Sequence, residues 1–272
     1  MNRLRATFEQ LRRSHRKALI PFVMGGDPNL SMTPQLLLAL EDAGADILEV
    51  GIPFSDPLAD GPVIQGASAR ALAHGTTPSR VLAAVASIQH RLHVPVVCLS
   101  YWNPMLQFGN QHADPDQSSA FLRAAHQSGV AGVIVPDLPI EEGMDFRNEA
   151  AKKQVSAVFL AAPTSPPERL RTIARASEGF IYYVSVTGTT GVRRALPPQL
   201  ARGLRQLRLL TTKPVCVGFG ISSPSQARAV AQIADGVIVG SALIKLIAES
   251  KGHTAMLRNA SGFLKRLKRA IA

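Results

Sequence analysis

Cysteine is nearly absent from this 272-residue chain: Cys98 and Cys216 are the only two, too few for a disulfide scaffold. Both sit inside apolar runs, Pro95-Val-Val-Cys-Leu and Pro214-Val-Cys-Val-Gly, where they read as small buried hydrophobes of a strand. No apolar stretch approaches the ~20 residues of a membrane span. The first ten residues, with Arg3 and Arg5 among them, lack the apolar centre of a signal peptide. These absences predict a reduced, cytoplasmic protein with no membrane role. Aromatic residues are only 5%, with a single Trp, which argues against a stacking platform for nucleic acid. Acids are scarce too: 19 Asp and Glu against 30 Lys and Arg give a formal charge of +11. The bases concentrate at 3–17, 193–213 and 251–272, six in each stretch, with Glu9 the only acid among them. At the C-terminus Leu264, Leu267 and Ile271 recur at helical spacing between basic residues, the pattern of a helix with a solvated basic face.

What the chain does contain is apolar material, 46% of its residues, enough for a large core. Eight short runs rich in Val and Ile read as strands: Ala18–Met24, Asp46–Gly51, Pro95–Tyr101, Gly132–Pro136, Val155–Leu160, Phe180–Val184, Pro214–Gly218 and Gly236–Gly240. Most lack polar alternation, as strands covered on both faces do in a parallel sheet. Helical segments lie between them: Pro34–Ala43, Pro78–Arg91, Gln117–Ser128, Glu142–Lys153, Pro167–Ala176, Pro198–Leu210 and Pro224–Ile233. Thr33, Thr77 and Ser223, each before a Pro, read as N-caps, and Gly44, Gly129 and Gly179 as C-terminal caps. Eight alternations in this length predict a closed (β/α)8 TIM barrel, one domain over 1–272, with extra helices at Leu4–His15 and Met256–Ile271. Two connections are long: Ile52–Gly75, dense in Pro, Gly and Asp, and Ser185–Pro197, rich in Gly and Thr. Both follow strands, where barrels build their sites and lids.

The chemistry concentrates at three strand ends. Glu49 stands near the end of the second strand, where apolar walls raise a carboxyl's pKa and suit it to move protons near neutrality. Asp56 and Asp60 follow on a loop stiffened by Pro53, Pro57 and Pro62. Residues 41–60 hold six acids and no base, so no ion pair within the segment accounts for them; a solvated acidic loop is the alternative reading. The seventh and eighth strands run into Gly218-Phe219-Gly220-Ile221-Ser222 and Gly240-Ser241, the barrel positions where backbone amides and a short helix hold a phosphate, and Gly191 could add an amide. The seven His are scattered without metal-site spacing, and no Lys stands at a strand end for imine chemistry.

The run Leu48–Gly61 resembles the signature of the tryptophan synthase alpha chain family. So do Pro21-Phe22 with Gly26-Asp27-Pro28, Tyr101-Trp-Asn-Pro-Met, Pro136-Asp137-Leu138-Pro139, Gly218-Phe-Gly-Ile-Ser and Gly240-Ser241, in order over nearly the whole chain. Ser100 and Trp102 depart from the residues expected of that family. The resemblance implies a TIM barrel that cleaves indole-3-glycerol phosphate to indole and glyceraldehyde 3-phosphate. It implies no cofactor in this chain and an α2β2 assembly with a pyridoxal-phosphate beta chain that receives the indole. Carried over by motif, Glu49 is the acid/base and Asp60 accepts the indole N–H. Phe22, Leu99, Asp137, Tyr182 and Phe219 line the pocket, Thr190 is the lid threonine, and Gly191, Gly220, Gly240 and Ser241 hold the phosphate. Three alternatives stand beside this reading: a stand-alone lyase releasing free indole, another phosphosugar barrel enzyme, and a catalytically weak partner subunit.

Overall fold

The computed structural model describes residues 2–109, 118–184, 198–218 and 220–272. Among them nine parallel strand segments form one sheet: β1 Ala18–Met24, β2 Leu48–Gly51, β3 Val96–Leu99, β4 Val130–Ile134, β5 Ser156–Val158, β6 Leu160–Ala161, β7 Ile181–Val184, β8 Val215–Gly218 and β9 Gly236–Val239. Their order is β5-β4-β3-β2-β1-β9-β8-β7-β6. The two sheet edges are halves of one strand, separated only by Phe159, so the sheet closes on itself as a barrel ringed by helices. The strand expected over Val155–Leu160 is thus interrupted. The Phe159 amide donates to the Ser177 hydroxyl at 3.2 Å instead of joining the ladder, while its carbonyl accepts from Tyr182 N–H at 3.1 Å. Its ring packs edge-on against Phe146, centroids 6.4 Å apart.

Inside the barrel, Ala18, Ile20, Val97, Ile134, Val158, Cys216 and Ile238 pack in one cluster, closed from below by Leu4, Phe8 and Leu11 of the helix Arg3–Arg13. That helix starts where Asn2 caps it. The Asn2 side-chain oxygen accepts from the amides of Leu4 and Arg5, and its amide donates to Ser156 Oγ at 2.6 Å. Leu4 fits because Gly132 and Gly179 have no β-carbons; one at either position would stand 2.9 Å from Leu4 Cδ1. Leu4→Ala should therefore cost about 2–5 kcal/mol, read as a lower urea midpoint. A loss below about 1 kcal/mol would mean that the base of the barrel refills without it.

The outer core lies between strands and helices. The helix His253–Ile271 buries Met256, Phe263, Leu264, Leu267 and Ile271, packs on the helices Met32–Asp42 and Pro224–Ala231, and leaves Arg258, Lys265, Arg266 and Arg269 at least partly exposed. Lys268 departs from the expected solvated face: it pairs with the buried Asp46, which also accepts the Leu19 amide. Thr77 and Ser223 cap helices as the sequence suggests, accepting from the amides of Arg80 and Gln226. Thr33 does not cap. It lies inside the helix that Ser31 precedes, and its hydroxyl accepts from the Gly26 amide at 2.9 Å. Gly44, Gly129 and Gly179 all adopt positive φ, as helix-ending glycines do. The connection Ile52–Gly75 is shorter than it reads in sequence, because Pro62–Ala73 is a helix with Pro at its first position. Among the described residues no helix is long and apolar enough to cross a membrane.

Candidate active site

Strand alternation in β2 places Leu48 and Val50 in the outer core, leaving Glu49 to the barrel interior. In register it stands beside Phe22 of β1 and Val97 of β3. Glu49 is 1% exposed, and neither carboxyl oxygen has a hydrogen-bond partner among the described residues. Burial, with a further push from the charge of Asp60, raises its pKa to about 8. At neutral pH Glu49 is therefore an uncharged acid holding a proton. The same burial, and then the field of Glu49, raises the Cys98 thiol to about 12 and the Tyr182 hydroxyl well above its ordinary range. Neither ionises at neutral pH, so neither serves as an anionic nucleophile.

Asp60 reaches the mouth on the loop 52–61, whose backbone is fastened from the helix behind it. The Ser68 hydroxyl bonds both the amide and the carbonyl of Phe54, each at 2.8 Å, and Gln65 Nε2 donates to the Asp60 carbonyl at 2.9 Å. Burial raises Asp60 to about 6, opposed by a hydrogen bond from the Tyr101 hydroxyl. At pH 7 the site holds one neutral and one ionised carboxyl, the division of states that acid–base work requires. The other acids of 41–60 are used elsewhere: Glu41 accepts the amides of His93 and Val94, Asp46 holds Lys268, and Asp42 and Asp56 are exposed. The acid cluster seen in sequence thus divides into two carboxyls at the barrel mouth and others that are structural or solvated.

An apolar wall meets them. Phe22 and Met24 pack with Ala67, Ala71 and Ile244, and Leu99 lies against this cluster. Tyr182 lies across Gly218, where a β-carbon would meet its ring at 3.0 Å. Gly240 caps the helix Ser241–Glu249 close to Phe22, so the amides of that helix's first turn open at the same mouth. Gly220 has φ +43°, and a β-carbon placed on it would meet nothing within 4 Å, so its backbone is accessible. Asp137 is placed differently from the others. It is exposed at the mouth's edge, and its carboxylate accepts the Trp102 amide at 2.9 Å, at the start of the helix Trp102–Leu106. It lines a cavity of about 270 Å³ with Leu138, Leu160, Ser165 and Val184, and Glu49 is not in that wall. Thr190, Gly191, Phe219 and the long segment 185–197 lie outside the described residues. Sequence reading missed Tyr101, Gln65 and Ser68 as supports of the Asp60 loop; Gln65 and Ser68 were visible only as polar groups following the Pro-rich run, and Tyr101, from the next strand, gave no local signal. No group of three or more His, Cys, Asp or Glu among the described residues could hold a metal.

Comparison with known proteins decides the family. The model of the tryptophan synthase alpha chain matches residues 8–272. The chain belongs to the tryptophan synthase alpha chain family. It is 46% identical to the tryptophan synthase alpha chain of Gloeobacter violaceus over 269 residues, 98% of this chain and 94% of that protein. To that of Carboxydothermus hydrogenoformans it is 47% identical over 247 residues, covering 91% and 90%. Among solved structures, the tryptophan synthase alpha subunit of Legionella pneumophila superposes with a TM-score of 0.89 at 36% identity, covering 100% of this chain and 98% of that one. A tryptophan synthase structure from Mycobacterium tuberculosis gives 0.88 at 35%, covering 99% and 98%. The resemblance read in the motifs is therefore membership, and the barrel is the family's barrel. As a member of this family the protein is a carbon–carbon lyase, and its reaction is the cleavage of indole-3-glycerol phosphate to indole and glyceraldehyde 3-phosphate.

Proposed function

We propose that Glu49 and Asp60 carry this cleavage between them, acting in one barrel domain that spans 1–272. The observation that supports this is the split pair: an unpartnered, neutral Glu49 facing an ionised Asp60 at the barrel mouth. Glu49 gives its proton to indole C3, and Asp60 accepts the ring N–H and offsets the positive charge that develops on the ring. The glycerol hydroxyl next to the ring then returns a proton to the Glu49 carboxylate. The carbon–carbon bond breaks, its electron pair restores the aromatic ring, and the hydroxyl carbon becomes the aldehyde. Phe22, Leu99, Tyr182 and Phe219 would sandwich the indole, with Asp137 at the edge of the pocket and Thr190 closing over it. Backbone amides at Gly191, Gly220, Gly240 and Ser241 would hold the phosphate, helped by the positive end of the helix Ser241–Glu249.

A beta chain carrying pyridoxal phosphate is the proposed partner, in an α2β2 assembly of the cytoplasm that makes tryptophan from the released indole. Leu58, 92% exposed, and a hollow of about 370 Å³ lined by Pro53, Phe54, Asn103, Pro104 and Phe108 support a docking face on the loops after β2 and β3. The test is indole release from indole-3-glycerol phosphate by the purified chain, alone and with a beta chain. Stimulation by the beta chain supports the two-subunit reading. High activity that no beta chain changes supports the stand-alone lyase, and no activity under either condition sinks both.

The phosphate assignment carries its own prediction. Ser241→Asp leaves the helix intact, since an acid at a helix N-terminus is favourable. It sets a negative charge against the phosphate, so KM should rise roughly tenfold or more while kcat changes little. An unchanged KM would place the phosphate elsewhere.

A further inference from the structure

We propose that Tyr101 is the positioning residue of this site, its hydroxyl holding the Asp60 carboxylate to the end of β3. The inference rests on the reading of Asp60 as a chemical group. Tyr101 follows β3 and is 2% exposed, with its ring against Phe54 at a centroid distance of 5.4 Å and a tilt of 35°. Its oxygen accepts the Ala59 amide at 2.9 Å, which sets the hydroxyl proton beside the carboxylate of the next residue, Asp60. One hydroxyl thus grips two consecutive residues, by backbone and by side chain. The backbone of the loop has other fastenings, Ser68 at Phe54 and Gln65 at the Asp60 carbonyl. Among the described residues, what Tyr101 adds to these is the direction of the carboxylate and a pull toward its charged form. Burial and the charge of Asp60 hold the phenol protonated far above neutral pH, with Asp137 adding to the effect, so it acts always as the donor. Among the described residues Glu49 and Tyr182 also face Asp60, and neither competes as a donor to it: Glu49 has no hydrogen-bond partner there, and Asp60 reaches Tyr182 through its charge alone.

Tyr101→Phe keeps the ring and removes the donor. The readout is the titration of Asp60 itself, followed by NMR of ¹³C-carboxyl-labelled aspartate, with Asp60→Asn assigning the signal. The wild-type midpoint is expected near 6, and the variant's should rise by roughly one to two units, the size of a hydrogen bond to a charged group. In the assay for indole, kcat should fall about fivefold or more at pH 6.5 and recover toward pH 8, with KM nearly unchanged. Fluorotyrosine placed at 101, a stronger donor, should lower the midpoint, which loss of packing alone does not do. It also gives the answer where Tyr101→Phe fails to fold. An Asp60 midpoint that moves with neither replacement overturns the proposal. If the wild-type chain releases no indole, the lyase reading fails, while the titration still reports whether Tyr101 holds Asp60.

Discussion

Glu49→Gln should lower the rate of indole formation by about 10²–10⁴-fold, the usual worth of a positioned general acid–base. Gln fills the same space with the same number of heavy atoms, so the apolar mouth of Phe22, Met24 and Leu99 is preserved. The substrate's phosphate and ring contacts do not depend on the Glu49 proton. KM should therefore stay near the wild-type value while kcat collapses, the mark of an interaction made only in the transition state. The pH profile separates this from a general disturbance. In the wild-type chain kcat/KM should rise with an acid limb near 6, as Asp60 ionises, and fall with an alkaline limb near 8, as Glu49 loses its proton. Because the charge of Asp60 helps raise Glu49, the two limbs belong to the pair rather than to either residue. In the residual activity of Glu49→Gln the alkaline limb should be gone. Turnover within about tenfold of wild type would remove Glu49 from the proton path.

The barrel was legible because its strands are sealed on both faces. A run such as Val96–Leu99, closed in by neighbouring strands and helices, has no polar position to obscure it. Phe159 broke this rule without a signal in its own type, because the break depends on the Ser177 hydroxyl taking its amide, eighteen residues away in the chain. The helix Pro62–Ala73 was hidden by composition. Gly61, Pro62 and Gly66 read as loop residues, yet Gly61 and Pro62 occupy the cap and first position, where their stiffness or freedom is useful. Glu49 was visible as a carboxyl at the end of an apolar strand, and that alone implied burial and a raised pKa. Asp60 was not separable from Asp56 or Asp46 by local sequence, since what sets it apart is its burial at the mouth beside Tyr101, brought from the next strand. Asp137, recognised by motif, proved to bond the start of a neighbouring helix. A motif transmits which residues are present, while hydrogen bonds across the barrel decide what each is free to do.

The burial that raises the Glu49 pKa should also weaken the fold, and Glu49→Gln should expose the cost as a gain in stability that depends on pH. A carboxyl at about 8 in the folded chain and near 4.5 in the unfolded one takes up a proton on folding across that whole window. The unfolded state has already released it, so stability falls as pH rises from 4.5 and levels off above 8. Near pH 4.5 the wild type and the Gln variant both carry a neutral, unpartnered side chain of almost the same shape, and their stabilities should be close. At pH 7 the variant should be more stable by about 3 kcal/mol, and above pH 9 by up to about 5 kcal/mol, at about 1.36 kcal/mol per unit of pKa. Urea denaturation at about pH 5, 7 and 8.5 reads this directly: the separation between the midpoints should widen steadily with pH. A separation independent of pH would mean that Glu49 gains a partner or water in solution and titrates near its ordinary value. The steady widening would show that the barrel holds a destabilising acid at its mouth, and the proposed proton transfer supplies the reason for keeping it, a conflict between function and stability centred on one residue.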